Sequence, residues 1–292
     1  YWLFREMGVP APRSVHARVV VNGEYVGLFA LTEQIDGRFT RENFEDGRGN
    51  LYREVWPLSP QGQPFAERVY LEALKTNEEE DPTAELIRGF GSALAAAEPD
   101  DVPQLLETWL DVDQMLAYAV VDRGIGNDDG VFHFYCSDSN WCTSHNFYWY
   151  EDPVTDKLHL IPWDLDNAFE NILRPANPVT PIADAWGEIT NDCEPFTLSG
   201  TWVEQLSAAC DPIIGALATF EERHRKQLDA FLAGPFSVDQ VEAQLEAWTE
   251  QIADAVAEAS AAHRDAIATG SWLTALEIFR LQLETARERA AE

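Results

Sequence analysis

"HNFYWYEDPVTDKLHLIPWDLDNAF", residues 145–169, decides the fold. Two runs rich in aromatic and aliphatic residues, Phe147–Tyr150 and Leu158–Ile161, flank a turn at Asp152–Asp156. That arrangement predicts an antiparallel hairpin, because turn-forming residues sit between two strand formers. The second run reads as a short buried strand that stops at Pro162. Two aspartates one residue apart follow, Asp164 and Asp166, with Trp163, Leu165 and Phe169 around them. Asn146 opens the first strand, so the hairpin brings it within a few residues of Asp164.

Upstream, "DVDQMLAYAVVDRGIG" predicts a helix whose apolar face carries Met115, Leu116, Ala119 and Val120. It runs into "GNDDG", a turn-rich stretch that supplies Asn127, Asp128 and Asp129. The segment "VFHFYCSDSNWCTSH" then separates Asp129 from Asn146 and carries Cys136 and Cys142. With Cys193 and Cys210 the cysteines are even in number and fall in two close pairs, which reads as two disulfides in a secreted protein. A Cys2His2 zinc site from His133, Cys136, Cys142 and His145 is the rival reading.

Near the start, "RSVHARVVVNGEYVGLFALTEQI" (residues 13–35) places Asn22-Gly23 between two β-rich runs, the preferred pair for a type I′ turn. "NLYREV" predicts another strand, and Asp81 with Pro82 predicts the start of a helix. Residues 171–200 read as an ordered loop, and the chain from Trp202 as helical. Ser237 and Gln240 make a capping box, and residues 253–268 form an outer helix. The order predicts an α+β protein in two lobes, residues 1–80 β-rich and 81–292 mainly helical, with the hairpin at 146–166.

Charge narrows the partners. Asp and Glu number 51 against 20 Lys and Arg, a net −31, and the lysines are Lys75, Lys157 and Lys226. Such a surface repels phosphate, which argues against duplex nucleic acid and anionic membranes. A polyanionic ligand would need cations brought in as metal ions. No apolar run approaches the roughly 20 residues of a membrane span, and the stretch begins at Tyr1 without a charged-then-apolar leader.

Asn127, Asp128, Asp129, Asn146, Asp164 and Asp166 offer hard oxygen ligands suited to Mg²⁺, Mn²⁺ or Ca²⁺. A phosphotransferase needs a carboxylate to orient a hydroxyl, and an Asn and an Asp to hold metal. Taken singly, each has an ordinary explanation. Asp128 and Asp129 suit a turn, Asn146 suits a strand edge, and Asp164 or Asp166 could cap a helix starting near Asn167.

Together "VVVNGEYVGLFALTEQID", "GNLYR", "ALKTNEEED", "GNDD" and the hairpin block make residues 1–170 resemble the spore-coat protein H (CotH) kinase family, atypical secreted protein kinases. The resemblance implies a single domain with a bilobal kinase-like fold. It implies phosphoryl transfer from ATP, with Mg²⁺ or Mn²⁺, to Ser or Thr of a secreted or cell-surface protein. Asp129 would be the catalytic-loop carboxylate, with Asp128 as its neighbour in contention. Asn146 and Asp164, alone or with Asp166, would hold metal. Arg53 stands where the family has Lys, and Arg is not equivalent to Lys at a phosphate. Lys75 is the other candidate for that contact, and Glu33 would orient one of these cations. The Cys-bearing insert lies beside the implied site, where it would shape acceptor access. Because of Arg53, an inactive kinase-like binding module of a surface or coat assembly stands as one alternative. Transfer of another group from ATP, such as AMP, stands as a second.

Overall fold

The computed structural model describes residues 1–80, 82–138, 141–169, 172–173, 186–197 and 203–291. The first part of the chain carries α1 (Trp2–Glu6), β1 (Ser14–Val21), β2 (Glu24–Thr32), α2 (Gly37–Asn43), β3 (Leu51–Arg53) and α3 (Glu67–Glu72). Next come α4 (Glu85–Ala96), α5 (Val102–Trp109), α6 (Val112–Gly124), β4 (Phe134–Asp138) and β5 (Trp141–Thr143). The predicted hairpin is β6 (Phe147–Asp152) and β7 (Lys157–Pro162), followed by β8 (Phe196–Thr197) and β9 (Glu204–Leu206). The chain closes on α7 (Pro212–Leu217), α8 (Glu221–Ala233), α9 (Val238–Ala262) and α10 (Thr269–Ala291). The fold is α+β, with small antiparallel sheets among helices.

The sheet that positions the site has the order β3-β6-β7. Leu51 pairs with Tyr150 and Arg53 with Tyr148, so a strand from the first 80 residues completes the hairpin. Every residue of β6 is buried, because the sheet is packed on both faces. On one side Trp149, Leu158 and Leu160 join the main core; on the other, Leu51, Tyr148, Tyr150 and Ile161 pack with Ile35 and Phe39. Glu151 is buried with its carboxylate satisfied by the Tyr52 hydroxyl at 2.9 Å, the Asn50 amide at 2.9 Å and the Ile87 N–H at 3.1 Å. Gly49 is required here, since a Cβ would collide with the Glu151 carbonyl oxygen.

Helix α6 departs from the one-faced expectation. Met115, Leu116, Ala119 and Val120 are buried, but so are Ala117, Tyr118 and Val121 on the other faces. A helix buried all round lies in the middle of a core, and α6 packs against α1, α7, α8, α10 and β7.

The other sheet has the order β5-β4-β9-β8. Cys136 and Cys142 face each other across β4–β5 and form one disulfide; Cys193–Cys210 is the second. With both thiols consumed, the Cys136–Cys142 zinc reading is overturned. Residues Glu204–Leu206 are strand rather than helix, drawn into the sheet by pairing with Phe134–Cys136.

Helix ends give further corrections. Helix α4 starts at Glu85 with Ala84 in the capping position, so Pro82 precedes it, and Asp81 lies outside the described residues. Ser237 does occupy the cap of α9, but its side chain makes no capping bond. Helix α9 ends at Ala262, and α10 begins only at Thr269, so residues 253–268 are not one helix. Most of the expected loop at 171–200 lies outside the described residues.

The Asn22-Gly23 turn forms as expected, both residues in the left-handed region (φ 52° and 84°). The β1–β2 hairpin is a two-stranded sheet of its own. It leans on α9 through Arg18–Glu258, with Nε–Oε2 at 2.7 Å, and the Tyr25–His263 ring contact.

Candidate active site

The Asn127–Asp129 loop is set by the end of α6. Asp122, fully buried, accepts a 2.8 Å bond from Asn127 Nδ2, and burial pushes its carboxyl up to about 7. A Cβ at Gly130 would strike the Asn127 amide, so the turn is tight. Asp128 is buried at 2% exposure and its carbonyl accepts from the Tyr135 hydroxyl. Asp129 instead points toward the surface.

Four polar groups converge on Asp129. His145 Nε2 lies 2.7 Å from Oδ1, Asn146 Nδ2 donates to Oδ2 at 3.0 Å, and Asn167 Nδ2 donates to Oδ2 at 3.3 Å. The Tyr135 hydroxyl also contributes a hydrogen bond, and its ring stacks on His145 at 4.8 Å. Burial acts to raise the carboxyl, but bonding and charge from His145 with the Asn146 and Tyr135 bonds outweigh it. Asp129 is therefore held below the ordinary carboxylate value.

Asn146 donates a second time to the Asp129 carbonyl at 2.8 Å. Both amide hydrogens are thereby used on acceptors, which fixes the amide orientation and leaves Oδ1 for a ligand. Its backbone N–H donates to Glu54 Oε1 at 3.1 Å, and its carbonyl accepts from Trp163 N–H at 3.1 Å. That last bond extends the hairpin ladder past Pro162 and brings Asp164 alongside. Glu54, Asn146 and Asp164 all take left-handed backbone (φ 53°, 63° and 48°). Non-glycine residues in that region gather at functional sites, where the surrounding structure holds them.

Asp164 and Asp166 are exposed, and no helix starts at Asn167: the segment is turn, returned to α6 by the Phe169 N–H on the Ile125 carbonyl at 2.8 Å. The Asp164 carboxyl is raised, first by burial, then by the charges of Asp166 and Asp129; Arg53 opposes this and Glu54 adds to it. Asn167 links Asp166 Oδ1, at 3.2 Å, to Asp129. The backbone of Asp164 and Leu165 also bonds the Tyr1 hydroxyl.

Arg53 is exposed, with Nε 3.4 Å from Glu54 Oε2, and within the field of Asp164. Its register with Tyr148 puts it on the sheet face where Tyr148 meets Trp163. Lys75 is tied to β3 through its N–H on the Leu51 carbonyl at 2.8 Å; among the described residues no hydrogen bond or ion pair reaches its ammonium. Glu33 is held by Arg13, at 3.1 Å from Nε, and not by Arg53 or Lys75. The expectation that it orients one of those two fails because Arg13, at the mouth of the same hairpin, reaches it first. The structure thus brings together Asp129, Asn146, Asp164, Asp166 and Arg53, and leaves Lys75 and Glu33 outside the cluster.

Sequence reading missed Glu54, Tyr135 and Asn167. Asn167 adjoins the Asp164–Asp166 pair and was findable there. Glu54 carries no signal, because its role comes from a left-handed turn that only the pairing of β3 with β6 creates. His145, assigned to zinc by the rival reading, is a partner of Asp129.

A divalent ion makes particular demands on this donor set. Among the described residues no three acidic, His or Cys side chains converge as a closed metal cage. Mg²⁺ rarely uses one: it takes one or two carboxylates and fills the rest with water and substrate phosphates. Asp164, Asp166 and Asn146 Oδ1 match that demand, and the negative charges of Asp166 and Asp129 that act on the Asp164 carboxyl, second to burial, are ones a cation would offset. The residues fit.

Beside Glu54 and Ser144 a cavity of about 860 Å³ opens, lined also by Trp56, Phe65, Phe134 and Trp141. Both disulfides border it, and the β4–β5 insert forms one wall.

Residues 1–279 match the family model described as CotH kinase protein, and the chain belongs to that family. No curated protein matches the chain. Family membership makes a kinase-like enzyme the class of protein to which the site belongs. The two disulfides fit an oxidising, extracellular setting, and among the described residues no helix is long and apolar enough to cross a membrane.

Proposed function

We propose that the chain transfers the γ-phosphoryl group of ATP, with Mg²⁺ or Mn²⁺, to Ser or Thr of a secreted or cell-surface protein. It would act as one bilobal domain, residues 1–80 forming the smaller lobe and 81–292 the larger. The observation that carries this reading is the Asp129–Asn146–Glu54 constellation with Asp164 one step along the hairpin. Asp129, ionised and partly exposed, accepts the hydrogen bond of the acceptor hydroxyl and then its proton. His145 and Asn146 hold that carboxylate in place, and Asn167 aligns it with Asp166. Asn146 Oδ1, Asp164 and Asp166 hold the metal, which when bound neutralises charge on the phosphates. Arg53 faces the phosphates, and Lys75 stands as a second cation on the same strand neighbourhood. The large cavity beside Glu54 and Ser144 admits the acceptor segment.

One observation favours an inactive binding module instead. Arg53 is already engaged by Glu54. Incubation with γ-labelled or α-labelled ATP separates the possibilities: label on protein from the γ position alone is expected. Label from the α position would mean nucleotidyl transfer, and none from either would favour the binding module. Asp129→Ala is expected to keep ATP binding and lose transfer by at least about 100-fold. An active Asp129→Ala enzyme would shift the role to Asp128. Asp164→Ala is expected to lose metal-dependent nucleotide binding, and full retention would remove Asp164 from the metal set.

A further inference from the structure

Two of the groups on Asp129 come from the β4–β5 segment that separates Asp129 from Asn146 in the chain. Tyr135 stands on β4; its hydroxyl donates to the Asp128 carbonyl and also reaches the Asp129 carboxylate. His145 follows β5 directly, and its Nε2 lies 2.7 Å from Asp129 Oδ1. The two rings stack on each other, with centroids 4.8 Å apart and planes at 23°. The hairpin thus reaches Asp129 from both of its strands.

Those strands are held unequally. Strand β4 pairs with β5 on one edge and with β9 on the other. Strand β5 is three residues long at the edge of its sheet, with β4 as its neighbour, and the register slips between Cys136 and Asp138. So short and irregular an edge is weakly held by its hydrogen bonds. Cys136 and Cys142 stand opposite each other in that ladder, and their disulfide ties β5 to β4 covalently. Beyond Cys142 the chain passes through Thr143 and the buried Ser144 to His145 and Asn146. Asn146 has holds of its own in the Glu54 carboxylate and the Trp163 N–H. His145 is held by Asp129 and the Tyr135 ring, both of which depend on where β5 lies.

We propose, on the reading of Asp129 as the group that takes the acceptor's proton, that the Cys136–Cys142 disulfide is a reducible positioning device for Asp129. Closed, it keeps His145 and Tyr135 on the carboxylate; opened, it releases β5 and phosphoryl transfer falls. Opening is thiol–disulfide exchange with a dithiol reductant. Cys136 is half-buried and Cys142 buried, so the reductant's thiolate attacks the Cys136 sulfur and Cys142 leaves. The reductant's second thiol then closes its own disulfide and releases Cys136. Two electrons and two protons pass from the dithiol to the two cysteines. In an oxidising setting the pair stays closed, so transfer is confined to that setting.

Label transfer from γ-labelled ATP and amide hydrogen exchange are measured on the full chain when oxidised and after reduction with dithiothreitol. The Cys136→Ser/Cys142→Ser variant opens this pair while leaving Cys193–Cys210 in place. Both ways of opening are expected to lower kcat about tenfold or more with ATP binding kept within about twofold, because Asp129 loses its alignment while Asn146 and Asp164 keep theirs. Reoxidation is expected to restore the wild type and not the variant. Exchange at the Ser144 and His145 amides is expected to quicken about tenfold or more on opening, with β6 staying slow. Tyr135→Phe, with the disulfide intact, is expected to lower kcat without quickening that exchange, which separates lost alignment from a loosened fold. The proposal is overturned if opening leaves exchange at Ser144 and His145 unchanged, or if both opened forms transfer as fast as the oxidised wild type. A wild type that transfers no label would defeat the phosphoryl-transfer reading instead, and quickened exchange would still put the disulfide in control of the groups around Asp129.

Discussion

Two hairpins of this chain look alike in sequence and behave oppositely in the fold. Both β1–β2 and β6–β7 join strand formers across a turn, and both form. Yet Val15, Phe29 and Leu31 of the first are half or more exposed, while Trp149, Tyr150 and Leu160 of the second are fully buried. Among the described residues the first pairs with no further strand, and it touches α9 near its tip. The second gains β3 on one edge and helices on both faces. Turn chemistry thus decides that a hairpin exists; what covers it decides whether it can hold a site. A site residue such as Asn146 needs its rotamer locked by neighbours, and only the buried hairpin supplies them.

The contrast can be broken most severely at Trp149. Trp149→Ala is expected to cost about 3–5 kcal/mol, because a fully buried ring leaves a cavity that cannot collapse against two packed faces. Urea unfolding checks this; a loss below about 1 kcal/mol would mean β6 is not the centre of the sheet.

A second, smaller effect concerns acids of opposite habit. Glu151 on β6 is raised, first by burial, against the bonds from Ile87, Tyr52 and Asn50. Its native state therefore favours the proton, and stability present at low pH is lost as pH rises through the elevated value. Glu33, just past β2, is lowered, chiefly by the Arg13 bond. Its contribution is present above the ordinary carboxylate value and is lost as pH falls through the depressed one. Unfolding midpoints across acidic pH for Glu151→Gln and Glu33→Gln should therefore differ from wild type with opposite slopes. Slopes of the same sign would sink the contrast.

The smallest effect is expected on the exposed hairpin. Phe29→Ser should change stability by no more than about 0.5 kcal/mol, since the ring is half exposed and leaves no enclosed void. A loss above 2 kcal/mol would show that this face is covered in solution.

Much of the site was legible because it is local. Asn146 and Asp164 are brought together by one hairpin whose strands and turn are written in adjacent residues. Asp129 was legible from a turn-rich tetrad after a helix. What the sequence did not carry is the difference in setting between the two neighbours: the fold buries Asp128 and surrounds Asp129 with His145, Asn146 and Asn167. Glu33 shows the limit of such reading: a cation only a few ångströms off in space, Arg13, took the partner role expected of Arg53 or Lys75. Helix α6 shows the same limit in packing, since periodicity names an apolar face but does not report that the other faces are buried too.

By itself the sequence determined the two hairpins, the cysteine pairs, the helix before "GNDD" and the acids of the Pro-Trp-Asp-Leu-Asp stretch. These depend on turn residues, side-chain shape and spacing within a few positions. Tertiary structure alone decided that β3 joins β6, that Glu54 clamps Asn146, that β9 is a strand, and which hairpin is buried. Each of those rests on contacts between residues tens of positions apart, and no local preference encodes which distant surface a strand will meet.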